Sequence, residues 1–343
     1  MNPILTFVVP CYNSEAYMRR CIDSLLQPGN TDVEVVVVND GSSDGTAWIA
    51  DEYVARFPTQ VHAVHKSNGG HGSAINAGLA AATGTYFKVV DSDDWLDKQA
   101  LEEVLGLLRS LERRGESLDV LITNFVYEKA GKRIKRSVSY RRALPRNRIF
   151  GWNETHSFRS WQYLLMHSIT YRTQLLRDCQ LQVPERSFYV DNYFAFIPLS
   201  RVHKLYYLDV DFYRYYIGRS DQSVNERVMI GRIDQQININ MLMIEHLSGA
   251  QKSGSLPKKL ERYMVHYAAL VTVVSSVLLV RDGSPASLAK KAVLWEKIAT
   301  LNPEIYARMK RTPLGVLAAH SGKAANTGMR VGYDVARVFV GFN

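Results

Sequence analysis

The chain passes from an apolar run into three carboxylates at Val89-Val90-Asp91-Ser92-Asp93-Asp94-Trp95. β-Branched residues are typical of buried strands, and in open α/β sheets the loops after the strands bind ligands. Carboxylates this close repel one another unless a cation or a hydrogen-bonded ligand lies among them. A divalent cation that also holds a diphosphate fits this pattern. The alternative is an acidic turn in which Asp94 or Asp97 caps the next helix.

The first 125 residues alternate strand and helix. Apolar runs predict strands at Leu5–Pro10, Val33–Val38, Val61–Val64 and Tyr86–Val90. Periodic apolar positions predict helices at Glu15–Gln27, Thr46–Phe57 and His71–Ala82. Repeated β-α units with short connections imply an α/β fold with a mostly parallel sheet and right-handed crossovers.

Length and charge indicate two parts. A chain of 343 residues, 46% of them hydrophobic, suits one large domain and a smaller one. We place them at 1–225 and 226–343, the second being a helical region. The first carries 26 basic and 25 acidic residues, and the second carries 16 and 8. No nucleic-acid-binding motif accompanies this charge, so we expect an anionic membrane surface or a polyanionic acceptor as partner.

Three features bear on compartment and association. The chain has only three cysteines and no basic signal-peptide region at its start, so we expect a cytoplasmic protein. The apolar run Met264–Val280 is at the short limit for a membrane span, and we interpret it as a buried helix, with a span as the alternative. An amphipathic helix at Met329–Phe342 would lie peripherally on the inner face of the membrane, or pack against the domain or a second subunit of a homo-oligomer.

The stretch Lys129–Arg148, here called the basic segment, carries nine basic residues and no acidic ones. Because it lacks a helical period, we predict a solvent-facing hairpin or loop, with acceptor contact as the functional alternative. Further along, the aromatic run Leu205–Ile217 predicts one more strand.

Polar loops follow the four predicted strands and should converge on one cleft, because parallel strands end at the same edge of a sheet. In the second loop, Asp40 could bind a base or ribose edge, or serve only in a tight turn. In the third, Gly69, Gly70 and Gly72 would permit close approach of a ligand to a helix start. The dinucleotide-binding and P-loop glycine motifs are both absent from the sequence.

Four motifs, taken in order, resemble the family-2 glycosyltransferases. They are Val8-Val9-Pro10-Cys11-Tyr12-Asn13, Val38-Asn39-Asp40-Gly41-Ser42-Ser43-Asp44-Gly45-Thr46, Asn68-Gly69-Gly70 with Asn76-Ala77-Gly78, and Asp91-Ser92-Asp93-Asp94. The resemblance covers roughly residues 4–225. It implies a nucleotide-sugar-binding GT-A (Rossmann-like) fold, a divalent cation (Mn²⁺ or Mg²⁺) and transfer with inversion at the anomeric carbon.

The resemblance also implies residues that bind the donor nucleoside. Pro10, Tyr12 and Asp40 would hold it, with Asp40 toward the uracil or ribose edge, and Asn68 would face the base. Many relatives carry an arginine where this chain has Ile75, so the nucleotide is not inferred from that position.

Other residues would serve the diphosphate, the sugar and the metal. By the same resemblance, Asp91 would contact the ribose or sugar, Asp93 would bind the metal, and Asp94 would lie near the donor sugar. Farther along the chain, Arg219 and Ser223 would cover the diphosphate, Arg219 by a bidentate contact.

The family places a carboxylate general base about a hundred residues after the metal motif, often in a Glu-Asp pair between aromatic residues. Phe188-Tyr189-Val190-Asp191-Asn192-Tyr193-Phe194 matches in placement, with Val190 where the glutamate is usual. We expect Asp191 to take the proton of the acceptor hydroxyl. The alternative is that Asp191 only caps the following helix.

We therefore expect a metal-dependent inverting glycosyltransferase. It would move a sugar from a nucleotide-sugar donor, most simply a UDP-sugar, to a cell-surface polysaccharide, teichoic acid or lipid-linked glycan. A sugar-phosphate nucleotidyltransferase is an alternative, as is a non-catalytic nucleotide-sugar-binding scaffold. Among the histidines His71 is the best site candidate, and we interpret the others considered as structural, namely His62, His65, His156 and His167.

Overall fold

The apolar runs of the N-terminal half pair into one ten-stranded sheet. Its strands are β1 (Leu5–Cys11), β2 (Val33–Asp40), β3 (Val61–Lys66), β4 (Tyr86–Val89), β5 (Trp95–Leu96), β6 (Val120–Lys129), β7 (Arg136–Val138), β8 (Ile149–Phe150), β9 (Ile169–Arg172) and β10 (Leu205–Ile217). They lie in the order β3-β2-β1-β4-β9-β6-β10-β5, with β7 beside β6 and β8 beside β10. The computed structural model describes residues 3–26, 31–129, 135–217 and 225–340, and counts of elements refer to these.

The long strand pairings are parallel. β1 pairs with β2 and β4, β2 pairs with β3, and β6 pairs with β10. Each antiparallel pairing joins only two or three residue pairs. The valine-rich strand β2 is buried along its whole length, as a parallel strand covered on both faces should be. The predicted α/β fold with a mostly parallel sheet is confirmed.

The chain divides into two compact units, Met1–Ile217 and Gly218–Asn343. The described helices of the first unit are α1 (Met18–Leu25), α2 (Thr46–Arg56), α3 (His71–Ala81), α4 (Lys98–Arg113), α5 (Thr173–Asp178) and α6 (Val190–Phe196). Short 3-10 turns lie at Trp152–Glu154, Met166–Ser168 and Ile197–Arg201. Helix α4 is capped by Asp97, which accepts hydrogen bonds from the N–H groups of Gln99 and Ala100. The capping alternative is therefore right for Asp97.

The basic segment forms a hairpin where it is described. β7 pairs antiparallel with β6, and residues 130–134 lie outside the described part of the chain. Several of its arginines pair with carboxylates. Arg141 and Arg146 lie 3.3 and 3.6 Å from Asp209, and Arg148 lies 2.6 Å from Glu154. Part of the segment's positive charge is therefore balanced within the fold.

The second unit is helical, as predicted. Its described helices are α7 (Glu226–Gly231), α8 (Ile233–Lys252), α9 (Lys258–Asp282), α10 (Pro285–Leu301), α11 (Pro303–Met309), α12 (Pro313–Ala319) and α13 (Lys323–Val340). Among the described helices, α9 alone is long and apolar enough to cross a membrane by length and composition. Its most apolar window is 78% buried by the rest of the protein. Core helices of water-soluble proteins pass the same test, so this is weak evidence for a span.

The C-terminal helix predicted at Met329–Phe342 is present as α13. Met329 is buried, and Arg330 donates two hydrogen bonds to the carbonyl of Val280 near the end of α9. Val331, which the predicted apolar face contained, is 58% exposed. The rest of that predicted face lies from position 333 onward, where the side chains are outside the described part of the structure.

Candidate active site

Hydrogen bonds join the polar loops that follow β1, β2 and β4. The Asn13 N–H donates to Ser42 Oγ at 3.0 Å, and the Ser43 N–H donates to Asn13 Oδ1 at 2.9 Å. The hydroxyl oxygens of Ser14 and Ser92 lie 2.8 Å apart. The expected convergence at the carboxyl edge of the sheet is therefore present.

Asp40 holds the third loop against the second. Its buried carboxylate accepts hydrogen bonds from the N–H groups of Gly69 and Gly70 at 2.9 and 2.7 Å, and it pairs with Lys66 at 2.8 Å. The Asn68 side chain donates to the Asp40 carbonyl at 3.0 Å. These contacts shape the loop that was predicted to face the nucleoside. Direct contact of Asp40 and Asn68 with the nucleotide-sugar donor remains a prediction.

Two glycines of the third loop, Gly70 and Gly72, face protein backbone, and the close approach of a ligand to this loop stays a prediction. A Cβ on Gly72 would lie 2.1 Å from the carbonyl oxygen of Pro184, and Gly70 has a φ of +83° that disfavours other residues. The Arg186 N–H donates to the carbonyl of Gly69 at 2.6 Å. The segment that leads to Asp191 is thus packed against the start of α3.

Asn76, within α3, also bonds to the segment that leads to Asp191. Its side chain donates to the carbonyl of Val183 and accepts from the Val183 N–H, both at 2.9 Å. The Asn-Ala-Gly motif therefore fixes the approach of the chain to the predicted base. A Cβ on Gly78, the last residue of the motif, would lie 2.2 Å from a methyl group of Val8.

The carboxylate of Asp91 lies between two imidazoles. His71 Nε2 is 3.0 Å from Oδ1, and His167 Nε2 is 3.3 Å from Oδ2. Because an ionised carboxylate only accepts, each ring donates its Nε2 proton. Burial opposes ionisation, yet hydrogen bonds from His167 and His71 hold the pKa of Asp91 well below its ordinary value. Asp91 is therefore a stable anion at the centre of the site.

His167 was interpreted from the sequence as structural, and its contact with Asp91 was missed. Its ring is 4% exposed and stacks on Tyr215 with 4.2 Å between centroids. Its Nδ1 has no hydrogen-bond partner among the described residues. No spacing pattern marks this histidine, because it lies within a 3-10 turn and reaches Asp91 only through the pairing of β9 with β4.

Lys88 is a second residue that was not predicted from the sequence. It is fully buried in β4, and its ammonium donates to the carbonyls of His167 at 2.7 Å and Ile169 at 3.2 Å. Burial lowers the pKa of Lys88 to about 7. A lysine within an apolar strand was the available signal.

Asp94 supports the end of β10. It is 1% exposed, and it accepts hydrogen bonds from the Tyr213 hydroxyl at 2.6 Å and the Tyr216 N–H at 2.7 Å. Burial and the charges of Asp93 and Asp91 raise the pKa of Asp94 well above its ordinary value. The contact of Asp94 with a donor sugar remains a prediction.

The acidic loop suits a divalent cation. Ligand atoms of Asp91, Asp94 and His167 lie within 4.8 Å of one another, and carboxylate oxygen with imidazole nitrogen is a ligand set that Mn²⁺ accepts. Burial is the main cause of the raised pKa of Asp94, and repulsion from Asp93 and Asp91 adds to it; a cation would relieve that repulsion. Asp93 is half-buried in the same loop, and its role as the metal ligand stays a prediction.

Asp191 lies in the first turn of α6, close to Asp91, His71 and His167, which are here called the Asp91 cluster. Burial raises the pKa of Asp191 above its ordinary value, and the nearby imidazoles of His167 and His71 oppose this effect. The residue that caps α6 is Tyr189, which has a left-handed φ of 64°. The helix-cap alternative for Asp191 is therefore wrong. The fold brings together Asp91, Asp191, His71 and His167 from four separate segments.

The other predicted donor residues lie as follows. Pro10 is buried in β1 and is paired with Val38. Tyr12 is 57% exposed, so its ring is accessible to a base. Arg219 and Ser223 lie outside the described residues.

Comparisons with known proteins agree with this architecture. The family model described as Glycosyl transferase family 2 matches residues 6–170. The chain is 31% identical over 212 residues to the uncharacterized glycosyltransferase EpsJ of Bacillus subtilis, a match that covers 60% of this chain and 59% of EpsJ.

Two solved structures resemble the fold. The crystal structure of S. aureus TarS 1-349 in complex with UDP-GlcNAc has a TM-score of 0.69 at 19% identity, covering 97% of this chain and 91% of that one. The mannosyltransferase PcManGT from Pyrobaculum calidifontis, in complex with GDP-Man and Mn²⁺, has a TM-score of 0.51 at 17% identity, covering 96% and 87%. Residues 6–170 therefore carry a family-2 glycosyltransferase domain, and the sheet topology with these structural neighbours shows the GT-A fold.

Proposed function

We propose that this protein is a metal-dependent inverting glycosyltransferase of the hexosyltransferase type. It moves a sugar from a UDP-sugar to a hydroxyl group of a cell-surface polysaccharide, teichoic acid or lipid-linked glycan. The observation that carries the proposal is the proximity of Asp191 to the Asp91 cluster, although the two lie on different elements far apart in sequence.

Asp191 is the general base in this proposal. Displacement with inversion needs one group that removes the proton of the acceptor hydroxyl while its oxygen bonds to the anomeric carbon. Burial raises the pKa of Asp191, which makes its carboxylate a stronger base than an exposed one. The packing of Gly72 on Pro184 supports its position, because this contact holds the approach to α6.

Asp93 would hold the divalent cation, Mn²⁺ or Mg²⁺, with Asp91 close by. The cation would neutralise the negative charge that develops on the departing diphosphate. Arg219 and Ser223 are proposed to contact the same diphosphate. The Mn²⁺ in the PcManGT structure belongs to that protein and supports the choice of metal only by similarity of fold.

The donor nucleoside is proposed to bind at the first three loops. Exposed Tyr12 would pack against the base, Pro10 and Asn68 would border it, and Asp40 would hold the third loop in place. The TarS structure contains UDP-GlcNAc and the PcManGT structure contains GDP-Man. The fold therefore accepts more than one nucleotide, and we choose UDP from the greater similarity to TarS.

We place the enzyme at the cytoplasmic side of the cell membrane, where donor and acceptor would meet. The excess of basic residues after position 225 supports contact with an anionic membrane surface. The inward position of Met329 and Arg330 favours packing of the first turns of α13 against its own unit instead. A homo-oligomer through this unit remains a further proposal.

A screen of UDP-sugars with Mn²⁺ tests the proposal. We expect one donor to be hydrolysed slowly and to be transferred when a suitable acceptor is present. Asp93→Ala should lose activity together with the response to Mn²⁺, whereas Asp178→Asn, at an exposed position, should keep both. A fully active Asp93→Ala protein would refute the metal-ligand assignment.

The same screen, with a nucleoside triphosphate and a sugar phosphate added in a separate reaction, separates the alternatives. A sugar-phosphate nucleotidyltransferase would release pyrophosphate from a nucleoside triphosphate, an outcome that the match to a glycosyltransferase family model disfavours. A non-catalytic scaffold would bind a nucleotide sugar without turnover on any acceptor. Either result would replace the proposal.

A further inference from the structure

An exposed tryptophan of the first unit has two guanidinium groups near its ring. The Trp161 side chain is 42% exposed. The guanidinium carbon of Arg136 lies 5.8 Å from its ring centroid, and that of Arg159 lies 5.5 Å away. Both distances allow cation–π attraction, which holds the two charges close to the aromatic face.

The segment that carries Trp161 is anchored to the basic segment. The Gln162 side chain donates to the carbonyl of Ser139 at 2.9 Å, and the Tyr140 hydroxyl donates to the carbonyl of Tyr163 at 3.3 Å. Gln162 and Tyr140 are both buried. The tryptophan is therefore presented on a fixed support, which lowers the entropy lost when a ligand binds.

This surface is connected to the proposed base. Tyr163, two residues after Trp161, is close enough to Asp191 that the carboxylate adds to the effect of burial in raising the pKa of the Tyr163 hydroxyl. Four residues further on, His167 contacts Asp91. A molecule whose reacting hydroxyl lies at Asp191 could thus extend over Tyr163 toward Trp161.

The chemistry of the three side chains indicates what would bind. A guanidinium group forms paired hydrogen bonds with phosphate or carboxylate oxygens. The indole ring offers a flat apolar surface to the C–H face of a sugar ring. Together they suit a glycan that carries regularly spaced anionic groups.

We propose that Trp161, Arg136 and Arg159 form a binding site for an anionic glycan acceptor. The inference rests on the proposed function for the identity of this glycan as acceptor. It names the class of acceptor that the transferase would use, a polymer bearing phosphate or carboxylate groups. A neutral glycan would gain nothing from the two arginines.

Binding of fluorescently labelled oligosaccharides to the full-length protein tests this site by anisotropy. The probes are a hyaluronan oligosaccharide for carboxylate, a glycerol phosphate oligomer for phosphate, and a dextran oligosaccharide as the neutral control. We expect one anionic probe to bind. Trp161→Ala and the double variant R136Q/R159Q should each weaken that binding by about tenfold, because each removes one or two such contacts. Trp161→Phe, which keeps an aromatic ring, should retain most of the affinity.

Trp48→Ala is the matched control. Trp48 is 66% exposed and also has an arginine beside its ring, with Arg19 at 5.6 Å, so a general effect of removing a Trp–Arg pair would appear there as well. We expect this variant to bind the anionic probe like the parent protein. All variants should bind UDP with Mn²⁺ unchanged, which also shows that they are folded.

Two results would overturn the inference. The first is that dextran binds as tightly as both anionic probes. The second is that Trp161→Ala and R136Q/R159Q both bind the anionic probe as tightly as the parent protein does. Loss of anionic binding in these variants, without turnover of any UDP-sugar by the parent protein, would leave the site standing and refute the proposed function. If the parent protein turns over a UDP-sugar but the variants bind the anionic probe like the parent, the proposed function stands and this site is refuted.

Discussion

The imidazole of His167 supports the carboxylate of Asp91 from within the core, with 3.3 Å between Nε2 and Oδ2. This contact joins the turn before β9 to the acidic loop after β4. Residues that orient a ligand-binding carboxylate typically change activity 10- to 100-fold when mutated, which is about the range expected here. We therefore expect His167 to act as a positioning residue, an effect that can be measured separately from its packing.

His167→Phe should keep the stack on Tyr215 and lose the hydrogen bond to Asp91. We expect donor turnover to fall by at least about tenfold, while the free energy of unfolding changes by less than about 1.5 kcal/mol because the ring volume is nearly conserved. Steady-state kinetics and urea unfolding measure the two effects. His156→Phe, at an exposed position, should change neither, and parent-like turnover in His167→Phe would remove the positioning role.

Asp191→Asn should bind the donor normally and lose transfer by at least about 100-fold, because the amide cannot take the acceptor proton. In the parent protein, kcat/KM should fall as pH is lowered through the pKa of Asp191. Since burial raises that pKa, this acidic limb should lie above the value of about 3.9 that is usual for aspartate. A pH–rate profile and calorimetric binding of the donor test this. Transfer by Asp191→Asn near the parent rate would show that another group is the base.

Gly72→Ala should destabilise the protein by about 1–3 kcal/mol, because the added Cβ would lie 2.1 Å from the Pro184 carbonyl oxygen and one of the two segments must move. Transfer should suffer more than donor binding, since the displaced segment leads to Asp191. Gly106→Ala is the matched control. Gly106 lies inside α4 with nothing within 4 Å of its Cβ position, so alanine should stabilise by about 0.5–1 kcal/mol. Urea unfolding that finds equal effects at the two sites would contradict this account.

Lys88 should make the stability of the protein depend on pH. Its pKa is about 7 in the folded state, against 10.5 in the unfolded chain. Between these values the unfolded chain binds a proton that the folded protein does not. The free energy of unfolding should therefore fall as pH is lowered from about 10 to about 7, by up to about 1.4 kcal/mol per pH unit, and level off below.

Lys88→Met should remove this contribution, whereas Lys204→Met, at an exposed position, should keep it. Urea unfolding at several pH values between 7 and 10 gives the comparison. Parallel pH dependence in Lys88→Met and the parent protein would mean that Lys88 stays charged within the core.

The strands and most helices of the N-terminal half were predictable because their signals are local. A run such as Val33–Val38 is apolar at every position, and a strand in a covered parallel sheet requires this. The loops that follow converge for a reason of topology alone, since parallel strands end at one edge. Asp40, Asp91 and Asp93 could therefore be selected as site residues before any coordinates were known.

The partners of these residues could not be predicted in the same way. The pairing of His167 with Asp91 depends on the position of β9 beside β4, an antiparallel contact of two residue pairs that no sequence pattern announces. Asp94 was expected at the donor sugar, yet its oxygens accept bonds from Tyr213 and Tyr216, more than a hundred positions away. The burial of a carboxylate and the donors it meets are properties of packing.

Local pattern and motif order were thus enough to assign the α/β sheet, the family and most of the acidic residues at its edge. Long-range packing settled the rest: which carboxylates support the fold, why Gly70 and Gly72 must be glycines, and how Asp191 reaches the Asp91 cluster. Secondary structure follows from interactions over a few residues, whereas pKa values and hydrogen-bond partners arise from contacts between distant segments. Such contacts exist only once the chain has folded.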